Sequence, residues 1–206
     1  MPKSSEFTAA EAAFVLQQPV RMVKKSLDAG PVRPTLMRKR GASVRAIGWS
    51  DLLYLYAVRT LKEELTPKAR EQFYVALKRQ PLDRNREVQF GRFKVQVGDL
   101  FDEVEARTRK LADLVDQIEF RGDGEPLLRG TDIEVYRIAA LLDAGASIED
   151  VRADYPSLPK RVIEVTRQYA EAHPKAGRPY PRISAKRALR GAGLQVLDEV
   201  IGKRRR

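Results

Sequence analysis

Apolar positions in the first third of the chain recur at helical spacing in short blocks, separated by capping and breaking residues. Thr8, followed three positions later by Glu11, forms a capping box and predicts a helix over 9–16, with Ala13, Phe14 and Leu16 on its buried face. Pro19 suits the first turn of a second helix, Val20 to Leu27, ending at Ala29-Gly30 where glycine accepts a left-handed cap. Two short helices joined by a tight turn make a helix-turn-helix. Val32 and Arg33, the turn-like Arg38-Lys39-Arg40-Gly41, and Val44 to Ile47 read as a β-hairpin with cations at its tip, which is a wing. Ser50 then caps an apolar helix from Asp51 to about Leu65, whose Leu52, Leu53, Leu55, Tyr56 and Leu61 close the module's core together with Trp49 and Tyr54. The first domain is therefore expected to be residues 1–65.

The pattern then changes. Thr66-Pro67 starts a helix to about Arg79, and Pro81 to Arg86 is polar and loop-like. Val88, Phe90, Phe93, Val95 and Val97 alternate around Gly91 as a hairpin does. Gly98-Asp99 opens a long helix to about Ile118, whose Leu100, Val104, Leu111, Leu114, Val115 and Ile118 form a stripe suited to a partner helix. Residues 66–122 read as a linker and dimerisation segment, which implies a homodimer. Between Pro126 and His173 the sequence predicts a short strand at Leu127-Leu128, a turn and cap at Gly130-Thr131, and helices over 133–143, from Ser147 to Tyr155-Pro156, and from about Pro159 to Ala172. Packed around Ile138, Leu141, Leu142, Ile148, Val151, Val162, Val165 and Tyr169, these form a homeodomain-like three-helix bundle over 123–174. Residues 175–206 are a basic tail with interleaved apolar positions. The fold class expected is mainly α: a winged helix-turn-helix plus a three-helix bundle, with small β-hairpins.

Charge sharpens this picture. The 206 residues carry a formal net charge of +11, a field that draws polyanions and favours nucleic acid as the partner. No apolar run approaches the roughly 18 residues of a membrane span, and Met1 to Gln18 lacks a basic start followed by an apolar stretch. The expectation is a cytoplasmic protein with no membrane partner. With no cysteine and the single histidine His173, thiolate and multi-histidine metal sites are excluded, and no metal or cofactor is expected.

On the second helix, Arg21, Lys24 and Lys25 lie at helical spacing where a recognition helix meets phosphates and base edges. Arg38, Lys39 and Arg40, with Arg45 behind them, fall where a wing grips the backbone. Lys160, Arg161 and Arg167 on the last helix of the bundle are candidates for a second DNA contact, with protein–protein contact as the other reading. The acidic group Asp99, Asp102, Glu103 and Glu105 invites a metal-dependent nuclease reading, but it sits at a helix start where carboxylates cap and suit the dipole. No phosphate loop or nucleophile elbow appears, so no enzyme activity is expected.

The segment from Gly130 to Pro174 resembles a small family of bacterial domains of unknown function. That family shows Gly-Thr-Arg-Ile, then Leu-Leu-x-x-Gly-x-Ser-x-Glu, then Tyr-Pro-x-Leu, then a helix ending near His-Pro. Here these positions are Gly130, Thr131, Ile133, Leu141, Leu142, Gly145, Ser147, Glu149, Tyr155, Pro156, Leu158 and His173, with Asp132 where the family has Arg. The first sixty residues resemble the winged helix-turn-helix of MerR-like regulators through TAAEAAFVL, VRMVKKSLDAG and IGWSDLLYLYA. Together they resemble a long VapB-type antitoxin. That resemblance implies an operator-binding repressor that neutralises a PIN-like ribonuclease toxin with its tail. Arg182, Lys186, Arg187 and Arg190 would then meet the toxin's carboxylates, and Leu194, Leu197 and Ile201 its apolar surface. The alternative is a free-standing transcription regulator without a toxin.

Overall fold

In the computed structural model the described residues are 6–39, 42–79, 86–122, 124–175, 177, 180–183 and 188. The chain is mainly helical with small antiparallel sheets, and it forms two compact units: Met1–Asp116 with Glu171–His173, and Gln117–Ala170 with Pro174–Arg206.

In the first unit, β1 (Glu6–Thr8) leads into α1 (Ala9–Leu16), α2 (Val20–Ala29), the strands β2 (Thr35–Lys39) and β3 (Ala42–Gly48), and α3 (Trp49–Thr60). The strands make an antiparallel sheet in the order β1-β3-β2, with Phe7 opposite Ile47, Leu36 opposite Arg45 and Lys39 opposite Ala42. β1 is a strand that the periodicity does not reveal: three residues are too few to show alternation, and pairing with β3 defines them.

The capping box at the start of α1 forms as expected. Glu11 accepts the Thr8 backbone N–H at 2.7 Å and the Thr8 hydroxyl at 2.8 Å. It also accepts Lys39 Nζ at 2.5 Å, so the buried carboxylate ties the start of α1 to the end of β2. His173 Nδ1, counted with the same unit, stands 3.3 Å away. Burial works to raise the Glu11 pKa, but the Lys39 hydrogen bond and charge, the Thr8 N–H and the His173 charge outweigh it and hold the carboxyl below its ordinary 4.5. A depressed carboxyl adds stability above its unfolded pKa, and that stability is lost as pH falls through the folded value. Glu11→Gln is thus expected to cost about 2 kcal/mol at pH 7, the scale of charged hydrogen bonds. The gap to the wild type should close as pH falls below 4, which thermal melts across pH 3 to 7 will measure.

Several boundaries differ from the sequence expectation for identifiable reasons. Gly30 is extended (φ −99°) rather than left-handed, and glycine is required there because a Cβ would stand 2.7 Å from the Ser26 carbonyl oxygen. The left-handed residue is instead Gln17 after α1, at φ 50°, whose N–H closes on the last turn. Gln17→Gly is expected to raise stability by about 0.5–1 kcal/mol, since a non-glycine residue is strained there and glycine is not. A melting temperature that falls instead would contradict the conformational argument. Pro19 occupies the N-cap of α2 and not its first turn. The cap of α3 is Gly48, two residues before Ser50, because buried Asp51 reaches back to accept the Gly48 N–H at 2.9 Å. β2 starts at Thr35; Val32, before it, is a core residue, and Arg33 donates to the Gly30 carbonyl.

The unit does not end at residue 65. α4 (Pro67–Arg79), the hairpin β4 (Glu87–Phe90) and β5 (Phe93–Gln96), and α5 (Gly98–Asp116) belong to it as well. Phe73, Leu77, Val88, Phe90, Val104 and Leu111 bury themselves in the same core as Phe7, Leu16 and Leu52. Residues 66–116 therefore contribute to the core of the first unit. The α5 stripe is used within the chain against α1 and α3, and of its first-unit members only Val115 is exposed. Leu100 is half-buried, and Ile118 leaves the helix altogether.

In the second unit β6 (Ile118–Glu119) pairs with β7 (Leu127–Leu128), followed by α6 (Val135–Asp143), α7 (Ile148–Asp154) and α8 (Lys160–Ala172). The expected three helices are present around Ile138, Leu141, Val151, Leu158, Ile163 and Tyr169. α6 begins two residues later than expected, because Glu134 bridges to Leu127 before the helix starts.

Candidate nucleic-acid interface

α2 follows α1 after only Gln17, Gln18 and Pro19, and buries Val23 and Leu27 in the core. At 3.6 residues per turn the side chains of a helix cannot all face inward, so Arg21, Lys24 and Lys25 are left on the outer side, and all three are exposed. None of them forms an ion pair among the described residues. Their C-terminal neighbour on that face, Asp28, accepts Arg45 Nη1 at 2.7 Å.

The ribbon alternates as a strand must. Leu36, Arg38, Ser43 and Arg45 share its outer face and are exposed, Leu36 at 76%. Lys39, expected beside Arg38 as a backbone grip, points to the other face and is held by Glu11. Arg40 lies outside the described residues. The structure thus brings Arg21, Lys24, Lys25, Arg38 and Arg45 onto adjoining outer surfaces and withdraws Lys39.

Other cations are structural in a way the sequence does not disclose. Arg59 donates to the Leu16 carbonyl and Arg107 to the Val15 carbonyl, the latter at 3.1 Å, so two guanidiniums satisfy the open C-terminal end of α1. Both also lie over the Tyr56 ring, at 5.3 and 5.1 Å, which explains why this tyrosine is half-buried and not in the deep core. Lys78 and the Tyr74 hydroxyl each meet Asp51 at 2.8 Å. Burial and the Asp51 carboxylate push the Tyr74 pKa upward, and burial takes Tyr54 to about 12.

Lys160, Arg161 and Arg167 are exposed on α8 and form no ion pair among the described residues. Arg182 is exposed too, while Lys186, Arg187, Arg190, Leu194, Leu197 and Ile201 lie outside the described residues. In the acidic group at the start of α5, Asp102 pairs with Arg86 at 2.6 Å, Glu103 with Arg107 at 2.5 Å and Glu105 with Arg109 at 3.3 Å. Each of these carboxylates has its own guanidinium, and no group of three metal-ligating side chains occurs among the described residues. An open groove between α4 and the β4–β5 hairpin, lined by Gln72, Val75, Ala76 and Phe90, has Glu71 and Arg79 as its charged groups and no nucleophile.

The positions shared with the resembled family fall at turns and caps. Gly130 is left-handed (φ 75°), and Thr131 closes its turn by donating to the Leu128 carbonyl at 2.9 Å; this turn precedes α6 and does not cap it. Gly145 (φ 90°) ends α6 with paired bonds from Gly145 N–H to Leu142 and Ala146 N–H to Leu141, a Schellman motif. Ser147 and Asp150 form the reciprocal cap of α7. The Tyr155 hydroxyl accepts Arg137 Nε at 2.9 Å. Asp132 pairs with Arg121, which also meets Glu119 at 2.7 Å and draws that carboxyl below its usual range.

Residues 121–170 match the family described as "Protein of unknown function (DUF433)". A curated relative, the uncharacterized protein y4eO of Sinorhizobium fredii (strain NBRC 101917 / NGR234), is 44% identical over 55 residues. That stretch is 27% of this chain and 25% of the relative, so the chain spans about a quarter of the length of the protein it matches. No solved structure matches the chain significantly. Among the described residues no helix is long and apolar enough to cross a membrane.

Proposed function

We propose that this protein is a cytoplasmic DNA-binding antitoxin, a non-enzymatic repressor that grips operator DNA through its first unit and neutralises a PIN-like ribonuclease toxin through its C-terminal region. The observation that carries the DNA half is the outer face of α2, where Arg21, Lys24 and Lys25 stand exposed on the second of two short helices joined by a three-residue turn. Exposed cations at such spacing suit contact with duplex phosphates. The toxin half draws support from the resemblance at 121–170, from exposed Arg182, and from the basic and apolar sequence after it.

The test has two parts. Anisotropy titrations of labelled promoter duplex against the full chain should give affinity that falls steeply with salt, with roughly 0.9 of a log unit lost per phosphate contact for each decade of salt. Co-expression with the product of the neighbouring open reading frame should recover a small ribonuclease held silent by the wild type. The full chain carrying Arg182, Lys186, Arg187 and Arg190 as alanine should release it. DNA binding without any retained partner would replace the antitoxin reading with that of a free-standing regulator, which the α2 face supports equally well.

A further inference from the structure

Among the described residues, the outward faces of α2 and of the β2–β3 ribbon meet at one ion pair. Arg45, directly across from Leu36 on the exposed face of the ribbon, donates to Asp28 Oδ1 at 2.7 Å. Both side chains stay open to solvent, at 46% and 61%. Asp28 follows Arg21 by seven residues, Lys24 by four and Lys25 by three, so helical spacing puts it on their face. The sequences of α2, β2 and β3 hold no other carboxylate.

An exposed pair of this kind contributes little to folding. On a surface whose other charged groups, among the described residues of α2, β2 and β3 that face outward, are Arg21, Lys24, Lys25 and Arg38, its electrostatic effect is larger than its structural one. The carboxylate repels an approaching phosphate and occupies a guanidinium that would otherwise meet one. We infer that Asp28 is a brake on sequence-independent DNA binding. In the free protein it holds Arg45, and Arg45 exchanges the carboxylate for a phosphate only when a duplex seats closely against both α2 and the ribbon.

The inference rests on the DNA-binding reading and adds the residue that limits indiscriminate affinity. Non-specific binding comes almost wholly from counterions released at phosphate contacts, so withdrawing one cation and adding one anion weakens it selectively. A complex that also gains base contacts can offset the adverse charge, which widens the gap between right and wrong sites.

Asp28→Asn keeps the side chain's size and removes its charge. The experiment titrates full-length wild type and variant against a 30-base-pair duplex of arbitrary sequence, by fluorescence anisotropy at several salt concentrations. At 0.1 M salt D28N should bind roughly eightfold tighter, and its salt slope should steepen by roughly one, the signature of one recovered phosphate contact. In an Arg45→Ala background the steepening should vanish. Wild-type affinity and slope in D28N, with DNA binding otherwise intact, would overturn the brake alone. Undiminished steepening in the Arg45→Ala background would overturn the exchange. A wild-type protein that binds no duplex at any salt would overturn the DNA-binding reading and the brake together.

Discussion

Replacing Arg21, Lys24 and Lys25 together with alanine is expected to weaken duplex binding roughly 500-fold at 0.1 M salt and to flatten the salt slope by about 2.7 units, three contacts' worth. The side chains are exposed and alanine favours helix, so α2 should remain folded on its buried Val23 and Leu27. Because the loss is electrostatic, wild type and variant should converge as salt approaches 1 M. The same substitutions at Lys160, Arg161 and Arg167 separate the two units' contributions. If the α8 variant loses as much as the α2 variant, both units grip the duplex. If the α2 variant keeps wild-type affinity and slope, recognition by α2 is wrong.

The second large effect concerns stability. Asp51 is 4% exposed and does three things at once: it accepts the Gly48 N–H, accepts the Tyr74 hydroxyl and pairs with Lys78. Asp51→Ala removes a helix cap worth about 1 kcal/mol and strands a half-buried hydroxyl at a further 1–3 kcal/mol, while the half-exposed Lys78 adds little. The expected total is about 3 kcal/mol, or a fall of roughly 10 °C in the melting temperature of a unit this size. Trp49, the one tryptophan, lies in the same unit with its ring 4.6 Å from that of Phe101, so its fluorescence reads this unfolding selectively. Tyr74→Phe should recover a value near the wild type, within about 1 kcal/mol, because it removes the donor instead of the acceptor. A melt of Asp51→Ala within 2 °C of the wild type would show that the buried carboxylate is not holding α3 and α4 together.

What the sequence discloses and what it hides divide along range. Thr8 with Glu11, Ser147 with Asp150, and Gly145 act on backbone three or four residues away, so their spacing is enough to place α1, α7 and the end of α6. Membership of a core is a long-range property. The stripe on α5 shows that the helix is amphipathic but not which surface it covers, and α1 and α3 of the same chain are the surfaces it packs on. Charge has the same ambiguity. Lys39 and Arg45 look alike in a basic hairpin, yet their carboxylate partners lie 28 and 17 positions earlier, one buried and one open to solvent. Arg107 finds the Val15 carbonyl 92 residues away, beyond the reach of any spacing rule.

The bond from Lys39 to Glu11 sits at the far end of β2, where a hairpin is otherwise free to splay. An arm anchored there has surrendered its motion at folding, before it meets any partner. Ordering a loose side chain or loop on contact costs roughly 0.5–1.5 kcal/mol for each group immobilised. Were the ribbon to bind a duplex as proposed, it would avoid part of that cost at its anchored end. In the proposed complex it would act less as a flexible strap than as a gauge, accepting a surface whose contour fits Leu36, Arg38 and Arg45 and giving little to one that does not.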